Sequence, residues 1–291
     1  MTKTLAIVAC DHGFGHVRRC CLIALDLYNS GYSVTIFAPD SYLDRLRSYI
    51  PSLALIHFIH FETKTTLSSL SLSLSSCIEW LDRLPSLDNF DFVISDNLPE
   101  ILAIRNDAIL SAQFFWHDVS PRICPDYSDL CSDLLARFSP LVFGCELFAM
   151  PAVRSQLGFI PVGLYKNPLL VEAITKIVSL SRTDLLVTGG TTPSARNQLT
   201  NYIRILLKNG PSDFKRVHVD PNLLPHDPPP WMIKADFSVD MFCSLKCAVC
   251  RPGLGILTDL LTVGVKIIPL FEPDNAEMVF NAKVVKHLAS H

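Results

Sequence analysis

The chain has 291 residues, too long for one small domain and comfortable for two. Hydrophobic residues make up 49% and charged residues 18%, which excludes a disordered chain. Net charge is −3 and no basic stripe is present, so nucleic acid is not an expected partner.

The opening MTKTLAIVACDHGFGH has an apolar stretch that ends at Asp11 and His12, too short for a signal peptide or a membrane span. No other segment reaches spanning length. The expectation is a cytoplasmic protein, with peripheral contact to a membrane surface left open. Residues 4 to 10 read as a strand buried on both faces. A loop with Gly13 and Gly15 follows, then Cys20, Cys21, Ala24, Leu25 and Tyr28 at helical spacing, stopped by Asn29-Ser30-Gly31. YSVTIFA is the next strand, which completes a right-handed βαβ unit in a parallel sheet. Further strands are expected at SLALIHFIHF (52 to 61), DFVISD (91 to 96), AILSAQFFW and SPLVFGCE. The serine-leucine segment TTLSSLSLSLSSCIEWLDRL turns into a helix and is expected either as a helix packed on the sheet or as a mobile loop over the cleft. Prolines at 151, 161 and 168 break the pattern and place a linker near residues 160 to 172.

A second register begins at DLLVTGG (184 to 190), with Thr192 as cap, Pro193 at the first helical position, and Leu199, Ile203, Leu206 and Leu207 on one face. RVHVD, ADFSVDM, KCAVCRPG and VKIIPLF read as strands, with a helix from Ile256 to Thr262. The fold class is therefore α/β, two Rossmann-like domains, residues 1–165 and 173–291, expected to face one another across a cleft. The ten cysteines sit largely in apolar runs and read as reduced, buried side chains. Cys243, Cys247 and Cys250 have a metal-like spacing, but no second Cys/His pair follows, and no metal is expected.

Three loops carry candidate chemistry. In DHGFGHVRR, Gly13 and Gly15 let the backbone turn and approach a ligand, and His16 stands at a helix start. His16 is either a helix cap or a proton acceptor active near neutral pH. The dinucleotide fingerprint is incomplete, because Arg18 fills its last glycine position. In VTGGTTPS, Gly189, Gly190, Thr191, Thr192 and Ser194 form either a diphosphate cradle or an ordinary glycine turn. In CRPGLGILTDLL, Gly253 and Gly255 lead into a helix, and Asp259 either holds ribose hydroxyls or is a solvated carboxylate.

Together the three loops resemble the glycosyltransferase-B superfamily, in particular the peptidoglycan UDP-N-acetylglucosamine transferase family and the related UDP-sugar hydrolase of pseudaminic acid biosynthesis. GFGHVRRCCLIALDL is similar to the opening of both, VTGGTTPS to the first loop of the nucleotide-binding domain, and VDMFCSLKCAVCRPGLGILTDLLTVGVKIIPLFEPDNAEMVFNA to its signature, closing on Asn281-Ala282. The resemblance implies an N-terminal acceptor domain and a C-terminal domain for a nucleotide-sugar donor. It implies that His16 is the general base, that Gly189, Gly190 and Thr191 bind diphosphate, and that Phe237 to Val239, with Ser238, read the nucleobase. It also implies that Asp259 grips the ribose and that Glu277 stands near the sugar. Asp259 replaces the usual glutamate, Ile256 a usual Ser or Thr, and Glu277-Met278 the stretch where glutamine is common. Relatives continue beyond the position of His291 with further helices. No cofactor is implied beyond the nucleotide-sugar substrate, and no Asp-x-Asp motif is present to hold a divalent metal. The leading expectation is transfer of a sugar, from a UDP-type donor, to a hydroxyl acceptor. A hydrolase with water as acceptor and a non-catalytic binding protein are the alternatives.

Overall fold

The structure is a computed structural model that describes residues 2–63, 73–119, 124–176, 182–189 and 195–290. The chain divides into two compact units, Met1–Tyr165 and Lys166–His291.

The first unit is built on seven parallel strands: β1 (Thr4–Val8), β2 (Ser33–Ala38), β3 (His57–His60), β4 (Phe92–Asp96), β5 (Ile109–Ser111), β6 (Val142–Cys145) and β7 (Phe159–Val162). Their order is β3-β2-β1-β4-β5-β6-β7. The apolar run of β1 is explained by its position. Leu5 and Ile7 enter one core cluster while Ala6 and Val8 enter the other, so alternate side chains are buried on opposite faces. The strand order reverses between β1 and β4, which opens a crevice at the carboxyl ends of those two strands. Below that edge, Trp80 and Tyr127 both donate to the buried Glu100 carboxylate, at 3.1 and 2.8 Å, joining three segments of chain.

The second unit repeats the plan with β8 (Asp184–Thr188), β9 (Val217–Val219), β10 (Met232–Lys234), β11 (Leu245–Cys250) and β12 (Lys266–Pro269), all parallel. The order is β10-β9-β8-β11-β12, so the reversal falls between β8 and β11. No helix among the described residues is long and apolar enough to cross a membrane.

Several expected elements differ in the structure. The run 52–61 is divided into a 3₁₀ turn, Pro51–Leu55, and the short β3, because Pro51 suits the first position of a helical turn. In AILSAQFFW only Ile109–Ser111 pairs as a strand, and Trp116–Val119 is already helical. ADFSVDM is not a strand: the Ser238 hydroxyl accepts from the Met241 N–H and starts a helix, Val239–Ser244. Leu207 does not join Leu199, Ile203 and Leu206 in the core but is exposed. Pro161 is tolerated because β7 is an edge strand, and Pro168 opens the helix Pro168–Lys176. Residues 64–72 of the serine-leucine segment, and Thr192 and Pro193, lie outside the described residues.

Candidate functional site

The carboxyl edge of the first sheet holds a network of three charged or titratable side chains. The loop after β1 leads into the helix Phe14–Asn29, which places His16 in its first turn and Arg19 one turn later. β4 ends at Asp96. His16 Nδ1 lies 2.8 Å from Asp96 Oδ2, and Arg19 donates to Asp96 Oδ1 from Nε at 2.8 Å and from its terminal nitrogen at 2.5 Å. That same terminal nitrogen is 3.2 Å from His16 Nδ1. Asp96 is fully buried, Arg19 is 5% exposed and His16 is 13% exposed, so the imidazole is the member nearest solvent.

Charge and hydrogen-bond chemistry assign the proton. Burial alone would raise the Asp96 carboxyl, but the Arg19 charge and the His16 and Arg19 hydrogen bonds outweigh it and hold it below its ordinary value. Burial would likewise lower the Arg19 guanidinium, and Asp96 reverses that. An ionised Asp96 can only accept, so Nδ1 carries the hydrogen and donates it. Nε2 is then the basic nitrogen of the ring. The side chain of His16 is thus committed to Asp96, which sets aside its reading as a helix cap.

Around this network the walls are aromatic. Trp116 lies 6.0 Å from the His16 ring, 5.3 Å from His12 and 4.9 Å from Phe114, centroid to centroid. The loop bearing His12 is fixed by a reciprocal pair: the Thr63 hydroxyl donates to Asp11 Oδ1 at 2.9 Å, and the Asp11 N–H donates to Thr63 Oγ1 at 3.2 Å. Asn97, directly after β4, takes a left-handed conformation with φ 57°. Its side-chain oxygen accepts from the Gln113 N–H at 3.3 Å, tying the ends of β4 and β5 together.

The carboxyl edge of the second sheet carries its side-chain contacts on several different carboxylates. Thr188, last in β8, donates to Asp220 at 2.8 Å, and Asp220 also accepts from the Asn222 N–H at 3.1 Å. Arg251, just after β11, meets Glu272 at 3.3 Å. Asn281 donates to the Pro252 carbonyl at 2.9 Å and reaches Glu277 at 3.5 Å. Phe237 is left-handed, with φ 55°, a conformation a bulky residue adopts only under tertiary constraint.

The predicted site residues fall out as follows. Gly13 is the N-cap of the first helix and is extended, with φ 163°. An added Cβ there would meet only His16 Cδ2 at 3.9 Å, so the expected tight turn does not demand glycine. Gly15 lies inside that helix. Gly253 caps the helix Leu254–Thr262 with φ −72° and open space beside it, and Gly255 lies within the helix, so neither supplies a special turn. Asp259 is buried, at 3% exposed, and is not a solvated carboxylate. Gly189 directly follows β8, and Gly190 and Thr191 lie outside the described residues. Ser238 is occupied as a helix cap, and Glu277 stands in the first turn of the helix Ala276–Leu288. Cys247 and Cys250 lie three apart on β11, so they point to opposite faces and cannot converge with Cys243 of the preceding helix on one ion. Asp96, Arg19, Asp220, Arg251 and Glu272 were not among the predicted residues. Three of them share a signal of position: Asp96 is the last residue of a strand, and Asp220 and Arg251 each directly follow one.

No family model matches the sequence, and no curated protein matches it. Solved structures do match. LpCGTa, solved in complex with UDP, is 14% identical, with TM-score 0.63 over 99% of this chain and 83% of that one. The calicheamicin glycosyltransferase CalG4 is 14% identical, with TM-score 0.61 over 99% and 84%. The spinosyn rhamnosyltransferase SpnG is 14% identical, with TM-score 0.57 over 99% and 92%. At this identity the likeness is one of fold: an α/β chain with parallel sheets of seven and five strands, as in these GT-B glycosyltransferases. It is coarser than the resemblance carried by the motifs and does not select the peptidoglycan transferase or the pseudaminic acid hydrolase.

Proposed function

We propose that the chain, built on the fold of the GT-B glycosyltransferases, transfers a sugar from a nucleotide-sugar donor to a hydroxyl acceptor, with His16 as general base. The observation that carries this reading is the His16–Asp96 pair at the strand reversal of the first sheet. Asp96 holds the ring by Nδ1 and leaves Nε2 to accept a proton. The acceptor O–H proton passes to Nε2, and the acceptor oxygen bonds to the anomeric carbon. The bond from that carbon to the diphosphate breaks, and the nucleoside diphosphate departs with the electron pair. A buried carboxylate that stabilises the resulting imidazolium suits this step. Phe114 and Trp116 pack against the imidazole, with ring centroids 6.0 Å away.

The donor belongs to the second unit in this reading. Gly189, Gly190 and Thr191 would cradle the diphosphate, an added Cβ at Gly253 would meet nothing within 4 Å, and Glu277 stands 3.5 Å from Asn281 one turn on in the same helix. Asp259 is buried, and in this reading Arg251 and Glu272 at the same edge are further candidates for the ribose contact. UDP is the favoured nucleotide, supported by the motif resemblance and by the UDP bound in the fold neighbour LpCGTa.

The test compares single-turnover rate and UDP affinity in wild type and His16→Ala. The rate should fall by about 10²–10⁴-fold, while UDP affinity changes little. An unchanged rate removes His16 from the mechanism, and equal loss of rate and affinity makes it a binding residue. Sugar-nucleotide cleavage in water alone, with no gain from any alcohol, would turn the reading to the hydrolase.

A further inference from the structure

The imidazole has two charged neighbours, and they oppose each other. Asp96 alone, buried 2.8 Å from Nδ1, would stabilise the imidazolium and so favour a ring that already carries its proton. Such a ring cannot accept a proton from a substrate. Arg19 changes that balance in two ways. It saturates Asp96 Oδ1 with two hydrogen bonds, which draws the carboxylate charge away from Oδ2. It also sets a permanent cation 3.2 Å from Nδ1, where a second positive charge would be repelled.

We propose that Arg19 is a positioning residue that keeps the His16 imidazole neutral and proton-accepting by counterbalancing Asp96. This rests on the reading of His16 as the base. The other titratable groups facing the pair are Cys10 at the end of β1, Cys20 on the same helix, Cys145 at the end of β6, and Tyr165. Burial pushes all four upward, so they are neutral around pH 7. His12 packs edge-on against Trp116, and the Asp11 carboxylate accepts the Thr63 hydroxyl. Phe114 and Trp116 bring no charge. Among the described residues, Arg19 and Asp96 are therefore the charges in hydrogen-bond range of the ring. The arrangement is compact because His16 and Arg19 are three apart on one helix and share a face.

The test follows the protonation midpoint of the His16 ring by NMR of its carbon-bound protons, assigned with His16→Ala. Arg19→Met should raise the midpoint by about one pH unit or more, and the acid limb of the turnover profile should move with it. Arg19→Lys, which keeps the cation but not the fork, should move it less in the same direction. Asp96→Asn should lower it, and the double variant Arg19→Met/Asp96→Asn should return above Asp96→Asn. Should Arg19→Met fail to fold, as judged by circular dichroism, this last pair carries the test. Equal midpoints in Asp96→Asn and the double variant, or a folded Arg19→Met with an unmoved midpoint, overturn the proposal. A moved midpoint in a protein that turns over no nucleotide sugar would uphold the coupling and reject the transferase reading instead. An unmoved midpoint with His16-dependent turnover would do the reverse.

Discussion

At the strand reversal of the first unit, two side chains converge on one carboxylate: His16 on one oxygen of Asp96 and Arg19 on the other. At the reversal of the second unit the contacts are spread over several carboxylates, Thr188 and Asn222 on Asp220, Arg251 on Glu272, and Asn281 on a backbone carbonyl and Glu277. The two edges share a strand plan, so the difference lies in the side chains. A convergent network couples every member to the protonation state of every other, which suits moving a proton. Contacts spread over several carboxylates hold loops in place and can exchange a partner for a ligand one at a time. The first unit contains an instructive control. Glu100 also gathers two donors on one buried carboxylate, but they are the neutral groups of Trp80 and Tyr127. Burial therefore wins and pushes its carboxyl up to about 7, whereas Arg19 holds Asp96 below its ordinary value. A cation, and not the number of donors, decides whether a buried carboxylate here is ionised.

If convergence is the distinguishing feature, removing its hub should have the largest effect. Asp96→Ala leaves the Arg19 charge buried without its counter-ion and should cost about 3–5 kcal/mol of stability. Urea unfolding followed by tryptophan fluorescence reads this directly, since Trp80 and Trp116 lie in the first unit and Trp231 in the second. A cost below about 1 kcal/mol would mean that the three groups act as an exposed surface pair does, and the contrast would collapse.

The second test sharpens the role of the cation through pH. Because the folded protein holds the Glu100 proton more tightly than the unfolded chain does, this group's contribution to stability is fully present below its unfolded value. It is lost as pH rises through about 7. The wild type should therefore lose on the order of 3 kcal/mol relative to Glu100→Gln between pH 4.5 and pH 8. Taking the difference cancels the histidines that titrate in both proteins. A difference that stays flat with pH would show that Trp80 and Tyr127 stabilise the ionised carboxylate as well as Arg19 does for Asp96.

How much of this was legible beforehand depends on the kind of signal. Strands buried on both faces announce themselves as apolar runs, so Thr4–Val8, Phe92–Asp96 and Asp184–Thr188 were readable, and with them the α/β class. His16 was readable because a glycine loop between a strand and a helix marks a ligand edge, although Gly13 itself turned out to need no special conformation. Asp96 was not readable as its partner. It stands 80 positions away, and only the strand order brings β1 and β4 side by side. Arg19 was hidden for a different reason: in HVRR two adjacent arginines look alike, and helix geometry alone does not say which meets Asp96. In the second half, apolar pattern misled at ADFSVDM, where a serine cap outweighed strand-like composition.

The smallest expected effect lies in the second unit and tests the other half of the comparison. Thr188→Val keeps the shape of the side chain and removes the hydroxyl that donates to Asp220. Asp220 would keep its bond from the Asn222 N–H, so the carboxylate is not stranded. The loss is that of one hydrogen bond to a charged group, about 1.5–3 kcal/mol. The change should stay local, because Arg251, which ion-pairs with Glu272, meets Thr188 through its backbone, the Arg251 N–H donating to the Thr188 carbonyl at 3.1 Å, a bond that the valine keeps. Double variants with Glu272→Gln should therefore be additive to within about 0.5 kcal/mol, measured by unfolding through Trp231. A coupling well above that would mean that the second edge is also a connected network, and that the separation into a proton-moving edge and a loop-holding edge is not built into the fold.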